Sequence, residues 1–81
     1  RDTNVARVIE ERERLLAAMR AMPRVVAYPS RANFIAFESR ASFDDFLARG
    51  ILIRKYADFL RVSIGTPEQN DAFLAALQEL A

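Results

Sequence analysis

The stretch FLRVSIGTPEQN, residues 59 to 70, decides the fold of this 81-residue chain. Its first half alternates in the manner of a strand with one buried face. Leu60, Val62 and Ile64 fall on one side, while Arg61 and Ser63 fall on the other. Because the apolar side must meet a core, we expect Arg61 to lie on the open face of a sheet.

The second half of the same stretch predicts the start of a helix. Thr66 suits the N-cap, Pro67 suits the first helical position, and Gln69 suits the third position of a capping box. The residues that follow supply an apolar stripe at helical spacing, namely Phe73, Leu74, Leu77 and Leu80. A strand followed at once by a well-capped helix therefore forms the C-terminal part of the chain.

Two further helices are predicted upstream of this stretch. Apolar residues recur in steps of three and four from Val5 to Met22 and mark a helix of about five turns, which ends at Pro23. Its polar segment EERERLL is typical of a solvated helical face. The segment SFDDFLARG predicts a short helix with Ser42 as its N-cap and Gly50 at its end. Three apolar residues of this helix are expected to face the core: Phe43, Phe46 and Leu47.

The segments RVVAYPS, ANFIAFES and ILIRKY have the β-branched and aromatic composition of strands. The predicted order is helix, strand, strand, helix, strand, strand, helix. The sequence therefore predicts one α+β domain over residues 1–81. We expect a small, mostly antiparallel sheet of three to four strands covered by helices on one face.

The composition excludes several classes of function. The chain contains no cysteine and no histidine, which rules out disulfides, thiolate nucleophiles, His-based general bases and zinc-finger sites. Twelve basic residues against eleven acidic ones give a net charge of +1, too little to favour nucleic acid or an anionic membrane. No apolar run is long enough to span a membrane, and no secretory leader is visible. As a free-standing enzyme the chain is unconvincing.

Arg54 and Arg61 form the most interesting pair of polar residues. Arg54 ends the strand ILIR, and Arg61 lies in the strand that follows. If these strands pair, the two guanidinium groups can converge on one doubly charged anion, such as a phosphate. Two alternatives remain at this point: the arginines are simply solvated, or the open face is an interface to another domain.

Three segments taken in order, YPSRANFIAF, GILIR and LRVSIGTPEQNDAFLAAL, resemble the C-terminal small domain of histidinol-phosphate aminotransferase. The resemblance covers nearly the whole chain. It implies a fold-type I enzyme dependent on pyridoxal 5'-phosphate, which transfers an amino group between histidinol phosphate and 2-oxoglutarate in histidine biosynthesis. It implies that Arg61 binds the anionic end of the substrate and that Arg54 shares the contact. Asn33 and Phe34 would be structural residues beneath this site.

The resemblance also implies what this chain lacks. The cofactor-binding large domain, with its Schiff-base lysine, would lie upstream; Lys55 has no family match, so the chain alone should be inactive. A start at Arg1 instead of methionine fits a piece of a longer, homodimeric, cytoplasmic enzyme. The segment KYADFL between the two arginines is shorter than in many members, which bears on the position of Arg54. Alternatives are the small domain of another fold-type I enzyme, such as threonine-phosphate decarboxylase, or a stand-alone binding module.

Overall fold

The computed structural model describes residues 2–81, with side chains described from residue 5 onward. Within that range the chain forms three helices and four strands in the predicted order. The elements are α1 (Asp2–Arg20), β1 (Val26–Ala27), β2 (Phe34–Glu38), α2 (Phe43–Ala48), β3 (Arg54–Lys55), β4 (Leu60–Ser63) and α3 (Pro67–Leu80). The strands are shorter than the apolar runs that predict them.

The four strands form one antiparallel sheet with the order β1-β2-β4-β3. Strands β3 and β4 are consecutive in the sequence and form a hairpin. Strand β4 also pairs with β2, although α2 and β3 lie between these two strands in the sequence. The two longest strands, β2 and β4, therefore lie in the centre of the sheet. The predicted α+β class with an antiparallel sheet is confirmed.

The core lies between the helices and one face of the sheet. Alternate residues of the two central strands are buried: Ile35 and Phe37 on β2, and Leu60 and Val62 on β4. They pack in one cluster with buried residues of all three helices, among them Leu15, Met19, Phe46, Phe73 and Leu77. Phe37 is in edge contact with Phe46 and Phe73, with ring centroids 6.1 and 5.5 Å apart. The helices thus cover a single face, as the alternation predicts.

Both predicted helix caps are present. The side chain of Ser42 accepts a hydrogen bond from the Asp45 backbone N–H, and Asp45 accepts from the Ser42 N–H in return. Thr66 and Gln69 form the same reciprocal pair at the start of α3. Capping boxes of this kind satisfy backbone donors that a helix start leaves free.

Three apolar residues predicted to face inward are exposed. Leu47 is 49% exposed because α2 has only six residues and buries Phe46, its neighbour around the helix. Val5 and Ile9 are 58% and 45% exposed, since they lie in turns of α1 before the stretch that packs on the core. Together with Val8 they line one side of an open groove of about 560 Å³. These apolar turns are left uncovered by the part of the chain that the structure describes.

Glu11 corrects the expectation that EERERLL is wholly solvated. This residue is only 8% exposed and accepts hydrogen bonds from Asn70 Nδ2 at 3.0 Å and from Arg14 at 2.7 and 3.0 Å. Asn70 is 2% exposed and also bonds the backbone N–H and carbonyl of Gly65, at 2.9 and 3.0 Å. Arg14 continues the network to Asp71. This Glu11–Asn70 network ties α1 to the turn between β4 and α3.

The hydrogen bonds from Arg14 and Asn70 lower the pKa of Glu11 to about 2. Its carboxylate is therefore charged at neutral pH and stabilised by its partners. Among the described residues, no helix has the length and apolar character needed to cross a membrane.

Candidate anion-binding site

The two predicted arginines are brought together by the β3–β4 hairpin. Arg54 and Arg61 are directly opposite each other in the antiparallel register. Directly opposite residues of such a pair point to the same face, with Cβ atoms about 4.5–5.5 Å apart. Since Leu60 and Val62 face the core, both arginines lie on the open face of the sheet. The pairing that the sequence analysis required for convergence is present.

The Arg61 guanidinium lies against two aromatic rings. Its central carbon is 4.3 Å from the ring centroid of Phe34 and 5.5 Å from that of Tyr56. Both distances are within the range in which a cation is attracted to an aromatic face. Phe34 belongs to β2, and Tyr56 directly follows β3, so a ring comes from each side of β4.

The hydrogen-bond donors of the pair have little competition. Within residues 5–81, whose side chains are described, neither Arg54 nor Arg61 takes part in a salt bridge. The Nε of Arg61 is buried and has no hydrogen-bond partner among these residues. A buried donor without an acceptor is energetically unfavourable. Two guanidinium groups with free donors suit a multiply charged oxyanion.

The turn between β3 and β4 sets the position of Tyr56. The Tyr56 backbone N–H donates to the Phe59 carbonyl at 2.9 Å and closes the turn. The rings of the same two residues stack with centroids 4.7 Å apart and planes 10° from parallel. The short segment KYADFL thus forms a tight hairpin, and it keeps Arg54 in register with Arg61.

Tyr28 and Glu38 lie farther along the same face, toward β1. Tyr28 donates its hydroxyl hydrogen bond to Glu38, and this bond raises the pKa of Tyr28 above its ordinary value. Glu38 is two residues from Ala36, the register partner of Arg61, so Glu38 lies one row of the sheet away from Arg61. This hydrogen bond occupies the phenol and one carboxylate oxygen, but it leaves the Glu38 carboxylate on the open face.

The other residues considered in the sequence occupy supporting positions. The Asn33 carbonyl accepts the Ile64 N–H at 2.8 Å and extends the pairing of β2 with β4. Lys55 is exposed and next to Arg54 on a strand, where successive side chains point to opposite faces. It does not belong to the arginine pair.

Sequence reasoning did not identify Tyr56 as part of the site. The sequence spacing could have indicated this role. Tyr56 lies two residues after Arg54 in the same extended segment, and residues two apart in such a segment point to the same face. Phe34 entered only as a structural residue beneath the site, and its ring does lie against Arg61. The sequence analysis therefore did not predict that the rings of Phe34 and Tyr56 lie against the Arg61 guanidinium.

No family model matches the chain, but individual proteins do. A histidinol-phosphate aminotransferase from Roseiflexus castenholzii is 46% identical over 92 residues, an alignment that covers 98% of this chain and 25% of the relative. One from Stenotrophomonas maltophilia is 45% identical over 83 residues, covering 90% of this chain and 23% of the relative. The chain thus spans about a quarter of the length of the curated relatives it matches.

Two solved structures have a similar fold over most of this chain. A Burkholderia pseudomallei protein provisionally described as an aminotransferase superposes with a TM-score of 0.86 and 30% identity, over 96% of this chain and 26% of that one. A decarboxylase from Sulfurospirillum multivorans superposes with a TM-score of 0.81 and 27% identity, over 89% of this chain and 22% of that one. The resemblance to histidinol-phosphate aminotransferase is thereby confirmed along nearly the whole chain, at the level of one domain.

Proposed function

We propose that this chain is the small domain of a histidinol-phosphate aminotransferase and that it binds the phosphate of the substrate through Arg61 and Arg54. The observation that carries the proposal is their direct pairing in the β3–β4 register, on a face free of competing carboxylates within ion-pair distance among the described residues. The matches to histidinol-phosphate aminotransferases support the choice of substrate class.

In this proposal the domain positions the substrate and the rest of the protein carries the reaction. Pyridoxal 5'-phosphate, bound by a large domain outside these 81 residues, would supply the chemistry of amino transfer between histidinol phosphate and 2-oxoglutarate. Arg61 and Arg54 would bind the substrate phosphate, which is remote from the reacting group, and would thereby fix the position of the reacting end of the substrate. The Schiff-base lysine would belong to that large domain, and Lys55 does not match it, so the chain alone is expected to be inactive.

The uncovered turns of α1 fit the same proposal. An enzyme domain separated from its large domain should leave an apolar surface where the two meet. Val5 and Ile9 are such residues, and they line the groove beside α1 together with Val8. We propose that the large domain of the same protein covers this surface, and that the full protein acts as a homodimer in the cytoplasm.

Replacement of Arg61 in the longer protein tests the anion role. Arg61→Ala should weaken binding of the phosphorylated amino alcohol by about 1.5–3 kcal/mol, because a charge-assisted contact is lost. This corresponds to roughly a 10- to 150-fold rise in the dissociation constant. Arg20→Ala is a matched control, since Arg20 is an exposed arginine on a helix of the opposite face. Unchanged binding and kcat in Arg61→Ala would refute the assignment.

A second candidate is favoured by one observation. The decarboxylase neighbour shows that a similar domain also occurs in a protein described by a different activity. Comparison of amino transfer with decarboxylation by the longer protein, using phosphorylated substrates for both, would separate the two. A stand-alone binding module is the remaining alternative, and it predicts that the native protein with this sequence has a mass of 9.2 kDa.

A further inference from the structure

We propose that Tyr56 is a positioning residue for Arg61: with Phe34, it holds the guanidinium by its aromatic face and so leaves the N–H donors free for the anion. The inference rests on the proposed anion-binding function. It adds a determinant of affinity that lies in the β3–β4 turn and that is separate from the two arginines.

The first step is that little else holds the guanidinium. Among the side chains of residues 5–81 Arg61 forms no salt bridge, and its Nε has no hydrogen-bond partner there. Two aromatic rings of the described residues lie by the charged group, that of Phe34 at 4.3 Å and that of Tyr56 at 5.5 Å. A guanidinium held by carboxylates would have its donors occupied, whereas one held by rings keeps them available.

The second step is that the Tyr56 ring is itself fixed. It stacks on Phe59 with planes 10° apart, and the Tyr56 N–H closes the turn onto the Phe59 carbonyl. Phe34 is fixed in another way, because its backbone is in the register of β2 opposite Ser63. Two rings from different strands therefore define where the guanidinium lies before any ligand arrives.

The third step concerns affinity. An arginine side chain has much rotamer freedom, and binding an anion costs the free energy of restricting it. Rings that restrict the side chain in the free protein reduce this cost at the moment of binding. Loss of one ring should therefore weaken anion binding by about 2- to 10-fold, the range expected for one immobilised side chain. Loss of the hydroxyl alone should have little effect.

The test uses nuclear magnetic resonance of the 81-residue chain, with the Arg61 Nε–H signal as reporter and inorganic phosphate as the probe. We expect Tyr56→Leu to change the ring-current shift of this signal without phosphate and to raise the phosphate dissociation constant by about 2- to 10-fold. Tyr56→Phe should retain wild-type behaviour in both measurements. Phe43→Leu is the matched control, because it removes a ring from α2, on the other face of the sheet, that is not one of the rings over the guanidinium.

The possible failures are distinguishable. If phosphate leaves the wild-type signal unmoved, the anion function itself is refuted, and the ring-current shift still decides whether the rings hold the guanidinium. If the wild type binds phosphate and Tyr56→Leu binds it equally well, the positioning role is overturned while the anion function stands. If Tyr56→Phe loses as much as Tyr56→Leu, the hydroxyl is responsible and the role of the ring is overturned. Phe34→Leu provides a second variant with the same expected loss.

Discussion

Replacement of Asn70 by alanine should destabilise the fold more than any exposed substitution on α3. Asn70 is 2% exposed, accepts from the Gly65 N–H at 2.9 Å and donates to the Gly65 carbonyl at 3.0 Å. Its second amide hydrogen bond goes to Glu11 at 3.0 Å. Alanine retains helix propensity at this position but removes all three hydrogen bonds.

The magnitude follows from the bonds to Gly65. Each neutral hydrogen bond contributes about 0.5–1.5 kcal/mol, so the two together contribute about 2 kcal/mol. Loss of the donor to the Glu11 carboxylate adds to this cost. A domain of this size has a free energy of unfolding of roughly 4–12 kcal/mol, so the substitution removes a substantial share. For a domain of 60–100 residues, 2 kcal/mol corresponds to a fall in Tm of about 8–16 °C.

The assay is urea unfolding of the 81-residue chain, followed by circular dichroism. With an m-value near 1 kcal/mol/M for a small protein, the midpoint should fall by roughly 2 M while m stays constant. Gln78→Ala is the matched control: it removes an exposed amide from the same helix and should change stability by less than about 0.5 kcal/mol. A midpoint for Asn70→Ala equal to that of the control would show that the Glu11–Asn70 network contributes nothing to stability.

Two further predictions concern pH and the turn before α3. The pKa of Glu11 in the folded chain is about 2, below its ordinary value of 4.5, so its stabilising contribution is fully present above pH 4.5 and is lost as the pH falls toward 2. Urea midpoints measured from pH 6 to pH 2 should decline, and Glu11→Gln should remove part of that decline; an identical pH profile in the variant would contradict the assignment. Gly65→Ala should displace Gln69 from the capping box, since an added Cβ would meet Gln69 Oε1, and should cost about 0.5–2 kcal/mol. The loss should shrink when Gly65→Ala is made in a Gln69→Ala background, and strict additivity of the two changes would exclude this mechanism.

Local signals in the sequence predicted the elements well. The caps at Ser42 and Thr66 involve residues only three positions apart, so their partners can be identified without the fold. The alternation from Leu60 to Ser63 likewise assigns each residue to a face. These predictions hold because the interactions that decide them lie within one turn of helix or one strand.

Contacts between distant segments could not be predicted in the same way. The sequence pattern assigned Glu11 to a solvated helical face, because its partner Asn70 is 59 residues away in the sequence. The environment of Arg61 similarly depends on Phe34, which is brought beside it only by the pairing of β2 with β4. The roles of Arg54 and Arg61 in binding an anion came from a family resemblance together with the strand pattern, and they remain predictions.

The link between Glu11 and Asn70 has a consequence for how the chain folds during its synthesis. The α1 segment leaves the ribosome before α3, and the amide that binds its buried carboxylate is made 59 residues later, at roughly 5–20 residues per second. The core residues of α1 likewise cannot be fully buried until Phe73 and Leu77 of α3 have been synthesised. For several seconds the growing chain therefore exposes the apolar face of α1 and leaves the Glu11 carboxylate without Asn70, with only the nearby Arg14 as a partner. The domain can close only once α3 has been made.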